Sequence, residues 1–121
     1  MLSIREEQTD AYRQEALRNF EDRMIKHISK FFPKEFAALR EAKTRETIQY
    51  GIKRAGSYGI VAERDVCKYI DLMVVFGRDF DRDKGLRWAH SVLEDRTLKG
   101  PSDRTDRLYK AAMENLSSQS R

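Results

Sequence analysis

The chain of 121 residues holds one cysteine, two prolines and two histidines, and it has no long apolar run. Each shortage removes a class of protein. Cys67 alone cannot close an internal disulfide, which sets the expectation of a reducing, cytoplasmic setting. The longest apolar run, Leu72 to Phe76, falls far short of the ~18 residues of a membrane span. The start, Met1-Leu2-Ser3-Ile4-Arg5-Glu6-Glu7, has no apolar signal core. The expectation is a protein that neither crosses a membrane nor follows the Sec route. His27 and His90 are too few for the His and Cys clusters of zinc or di-iron sites, so no metal and no cofactor is expected. No G-x-S-x-G elbow is present, and nothing in the sequence marks Cys67 as a nucleophile. No carboxylate pair takes acid and base roles, so the chain reads as a non-enzyme.

What is present favours helix. Charged residues make up 36% of the chain, above the usual ~25%, and Glu, Lys, Arg, Ala and Leu are good helix formers. The net charge of +4 is spread along the chain without a basic block, which serves solubility more than phosphate binding.

The apolar spacing divides the chain into segments. Ser3 and Glu6 fit a capping box, and Leu17, Phe20, Met24, Ile28 and Phe31 step by three or four along a helix over residues 1–31. Pro33 stops it and suits the first turn of a second helix. That helix carries Phe36 and Leu39 and is expected to end near Lys43. Thr44 and Thr47 offer caps for a third helix over 44–57, with Ile48, Ile52 and Ala55 on one face. Gly51 and Gly56 weaken it, although small residues also let a neighbouring helix come close. Gly59 is a natural terminator. A fourth helix over 62–76 carries Val66, Tyr69, Ile70, Met73 and Val74, and its second half is apolar all round, as expected of a central helix. Leu86, Ala89, Val92 and Leu93 mark a fifth. Ser102 or Asp103 caps a sixth through residue 116. The expected fold is all-α: one compact domain over 1–116, with five or six helices around the 62–76 helix, and a flexible tail over 117–121.

Three motif-like stretches fall short. Asp79, Asp81 and Asp83 alternate as in a calcium loop, but Lys84 holds the required Gly position and His90 the required Glu position. These acids read as a solvated loop capping the next helix. Gly51-x-x-x-x-Gly56-Ser57 lacks the lysine and the preceding strand of a P-loop. The 44–57 helix, the Gly59 turn and the 62–76 helix resemble a helix-turn-helix, and Arg64 and Lys68 would face DNA, but the rest of that helix is too apolar for a groove.

A set of ordered segments carries a resemblance. It comprises Phe20-Glu21-Asp22-Arg23-Met24, Phe31-Phe32-Pro33, Gly51-Ile52, Tyr58-Gly59-Ile60, Glu63-Arg64-Asp65-Val66 and Tyr69-Ile70-Asp71. Phe76-Gly77, Asp79-Phe80-Asp81, Trp88-Ala89 and Arg107-Leu108-Tyr109 complete it. Over about residues 16–112 the chain resembles small helical proteins encoded beside bacterial type VI secretion effectors, with a PAAR spike-tip protein and an adaptor chaperone. The resemblance implies a bacterial cytoplasmic co-chaperone. It would bind the adaptor chaperone, or the chaperone–effector complex, during effector loading. Phe32 and Tyr58, which flank expected helix ends, are the candidate partner-binding residues. The alternatives are an immunity protein against a cognate toxin, which the mixed charge supports little, and a helical DNA-binding regulator.

Overall fold

A computed structural model describes the backbone of residues 4–119 and the side chains of 10–116. Among these residues every regular element is an α-helix. The five helices are α1 (Ile4–Phe31), α2 (Pro33–Ser57), α3 (Glu63–Phe76), α4 (Arg87–Leu93) and α5 (Pro101–Gln119). Among the described residues no helix is long and apolar enough to cross a membrane. The chain divides into two compact units, Met1–Glu46 and Thr47–Arg121.

In the first unit, α1 ends where expected. Phe32 lies between the helices, its N–H reaching the Ile28 carbonyl, and Pro33 opens α2. Proline costs nothing at a first helical position, where the N–H has no partner. The second helix then folds back along the first. Arg45 donates to Glu21 and to Asp22 at 3.3 and 2.9 Å. Phe20, Met24, Ile25 and Ile28 are buried, but the expected stripe is open at both ends. Leu17 is 40% exposed and Phe31 60% exposed. The expected break near Lys43 falls earlier, at Arg40, whose φ of 63° and ψ of 173° interrupt the helix. That corner of backbone space is essentially reserved for glycine. Thr44 is buried, and its hydroxyl has no partner, so it does not cap the following segment. The Ser3–Glu6 capping box lies outside the described residues.

The second unit is organised around α3. Val66, Tyr69, Ile70, Leu72 and Met73 are buried, each apolar side chain contributing about 1.5–3 kcal/mol of transfer free energy. Two neighbours cover this face. One is α5, whose Leu108, Ala111 and Ala112 are buried. The other is the second half of α2, which meets α3 at Gly51. A Cβ there would lie 2.7 Å from Ile70 Cγ1 and 2.8 Å from Met73 Sδ. The hydrogen of Gly51 is what allows the two helices to meet. The cover is incomplete, since Val75 is 43% exposed.

Local chemistry sets the ends of these helices. Gly59 takes a φ of 79°, and the Ile60 N–H returns to the Ala55 carbonyl to close α2. Gly77, with a φ of 114°, closes α3. The last helix begins at Pro101, ahead of the expected cap, and runs to Gln119. Ser102 is no cap: its hydroxyl donates to the buried Asp65 carboxylate of α3 at 2.7 Å, which ties α5 to α3.

Candidate functional site

The loop from Gly77 to Leu86 carries the acids that alternate in the sequence. Asp79 and Asp83 are exposed, as a solvated loop requires, but Asp81 is not, and the three do not converge on one point. Asp81 is fully buried, Asp79 accepts a hydrogen bond from the Tyr50 hydroxyl, and Asp83 accepts the Gly85 N–H at 2.8 Å. An isolated carboxylate in such a place would be prohibitively costly. Asp81 is paired instead.

Its partners come from the end of α2 and the turn that follows it. Arg54 stands in the last turn of α2 and Tyr58 in the turn just past it, four residues on, where the two side chains meet. The Arg54 guanidinium donates to Asp81 Oδ2, and the Tyr58 hydroxyl donates to the same oxygen at 2.7 Å. Arg54 also donates to the Tyr58 oxygen at 3.3 Å, and its guanidinium lies 5.7 Å from the Tyr58 ring centre. Tyr69 of α3 closes the cluster from below. Its ring lies 5.1 Å from Phe80 and 6.4 Å from Tyr58.

The electrostatics follow from this packing. Burial alone would raise the Asp81 carboxyl, but the hydrogen bonds from Arg54 and Tyr58 outweigh it and hold the group below its ordinary value. The same pair raises Arg54. Burial, together with the hydrogen bond to Asp81, pushes the Tyr58 phenol up to about 12. Burial also raises Tyr69, whose hydroxyl has no hydrogen-bond partner.

Beside this cluster lies an open cleft of about 550 Å³. Arg54, Tyr58, Arg82, Arg96 and Arg104 line it, with His90 and Glu94 from the α4 region. Arg104, on the first turns of α5, is held by neutral oxygens. It donates to the Tyr58 carbonyl at 2.9 Å and to the Asp95 carbonyl at 3.4 Å. These carbonyls lie just past the C-terminal ends of α2 and α4, where a cation complements the helix dipoles. A second concavity, of about 670 Å³, shares Arg82 and His90 with the first and adds Lys84 and Arg87.

The residues singled out in the sequence are distributed as follows. Tyr58 is half-buried in the cleft wall, and Asp81 holds its hydroxyl. Phe32 belongs to the first unit. It is half-buried at the α1–α2 turn, with its ring edge-on to His27 at 6.3 Å. His90 lines the same cleft, with Glu94 four residues on. Cys67 is half-buried on α3, and burial pushes its thiol up to about 11, away from nucleophile chemistry. Arg64 and Lys68, the cations a groove-reading helix would offer, approach Asp106 of α5 at 4.0 and 3.0 Å. Arg54, Arg82, Arg96 and Arg104 were not anticipated. The only trace in sequence was the Arg54–Tyr58 spacing of four.

No family model, curated protein or solved structure matches the chain. The functional reading therefore rests on the residues themselves.

Proposed function

We propose that the protein is a non-catalytic co-chaperone that binds an adaptor chaperone, or its complex with an effector, during type VI effector loading. Two lines support this reading. The first is the resemblance carried by the ordered segments over residues 16–112. The second, which carries it on the structural side, is the state of α1. Every residue from 10 to 19 is exposed, including Tyr12 at 76% and Leu17 at 40%. Helices gain most of their stability by packing an apolar face. A helix with exposed Tyr12 and Leu17 at one end and exposed Phe31 at the other has apolar surface left for a partner groove. Phe32, one residue on, would extend that surface at the α1–α2 turn.

Co-expression with each neighbouring gene product tests the proposal. It is supported by a stable complex with the adaptor chaperone that forms without the toxin. A complex with the toxin alone would replace it with the immunity reading.

A further inference from the structure

The linings of the two adjoining concavities of the second unit hold more cations than anions. Arg54 is neutralised by Asp81. Among the described residues, Arg82, Arg96 and Arg104 have no ion-pair partner, and neither do Lys84 and Arg87 of the adjoining concavity. Only Glu94 and Asp83 oppose these five cations within the two linings, which leaves a surplus of three positive charges.

The positions are partly fixed. Arg104 is aimed by two neutral carbonyls, its charge helps hold the nearby Asp95 carboxyl below its ordinary value, and its Nε is buried with no partner. Arg54 is locked by Asp81 at the inner wall. Arg82 is exposed and lines both concavities. The Ser91 hydroxyl lines the second concavity, while the Ser57 hydroxyl is already donated to the Arg54 carbonyl at 2.6 Å. The combination is rich in donors, concave and dominated by arginine, whose planar fork binds oxyanions in pairs of hydrogen bonds.

The geometry points to a binding site for a small molecule bearing a diphosphate group. One phosphoryl group carries about −1.5 to −2 charge at pH 7, less than the surplus. Two linked groups match it, and Arg82 is common to both concavities. A carboxylate brings a single charge and satisfies fewer of these donors. This site is independent of the co-chaperone reading, because it lies wholly in the second unit and the exposed stretch of α1 lies in the first.

The test is calorimetric titration of the full chain with pyrophosphate and with ADP at near-physiological salt. Inorganic phosphate, a short single-stranded oligonucleotide and a poly-glutamate peptide serve as comparison arms. The site predicts saturable one-to-one binding of pyrophosphate and ADP, at least about tenfold tighter than inorganic phosphate. Arg82→Gln and Arg96→Gln, both at exposed positions, are each expected to weaken it about tenfold while circular dichroism stays unchanged. Lys26→Gln on α1 should leave it intact. Absence of saturable binding would overturn the proposal, as would equal binding by Arg82→Gln. Tighter binding of the oligonucleotide or the acidic peptide would also overturn it, in favour of a macromolecular polyanion.

Discussion

Arg54 of α2 and Asp81 of the α3–α4 loop, 27 residues apart in sequence, form an ion pair in which the Asp81 side chain is 0% exposed and that of Arg54 17%. The pair fixes the end of α2 against the acidic loop and so shapes the inner wall of the basic cleft. Replacing a buried pair with matched apolar groups is often neutral, whereas removing one partner strands the other charge at a cost of about 3–5 kcal/mol. Asp81→Asn is accordingly expected to lower the denaturation midpoint sharply, by several times the effect of Asp83→Asn. Chemical denaturation monitored by the fluorescence of Trp88 measures both. Equal midpoints would show that the pair does not support the fold.

The same pair makes stability depend on pH at the acid end. The folded Asp81 carboxyl lies below its ordinary value, near 3.9 in an unfolded chain. Its contribution is therefore complete above about pH 4 and shrinks as the pH falls below that value. It is gone once the folded group is protonated. The wild type should lose stability through this range, and Asp81→Asn should show a flatter acid limb.

At the alkaline end Tyr58 acts in the opposite sense. Its phenol is raised to about 12 in the fold, above the unfolded value of 10. Its contribution is complete below about pH 10 and is lost as the pH climbs toward 12. Tyrosinate absorbance should rise late in the folded protein, and thermal unfolding should shift down across this window. Tyr58→Phe should remove part of that shift.

Gly51 and Gly56 stand five residues apart on α2 but should respond oppositely to the same substitution. Gly51→Ala places a methyl against Ile70 and Met73 of α3, and overpacking of this kind costs about 1–3 kcal/mol. Gly56→Ala meets open space, and removing a helical glycine gains about 0.5–1 kcal/mol. Thermal denaturation of the two variants decides the matter. A stabilised Gly51→Ala protein would contradict the close approach of α2 and α3.

Much of the helical order was legible because periodicity and punctuation report it directly. Pro33, Gly59 and Gly77 each mark a helix boundary, and the three-and-four spacing of Val66, Tyr69, Ile70 and Met73 marks the buried face of α3. The break at Arg40 was displaced from Lys43 because a positive φ at arginine has no sequence signal. Leu17 and Phe31 fit the buried stripe by spacing, yet burial depends on what covers a position, and spacing says nothing of that. The basic cleft was illegible for the same reason. Arg54, Arg82, Arg96 and Arg104 are scattered through a chain of mixed charge, and only the fold of the second unit gathers them.

The central claim is that this chain works by holding a protein partner through α1. Its most direct test is light-scattering sizing of the complex co-expressed with the adaptor chaperone. Wild type would be compared with Tyr12→Lys/Leu17→Lys, a double substitution at positions already exposed. The account predicts a defined complex for the wild type. For the variant it predicts unchanged helical circular dichroism and a complex lost or weakened at least about tenfold, or about 1.4 kcal/mol. A variant that binds the chaperone as the wild type does would contradict the claim, and so would a wild type that forms no complex.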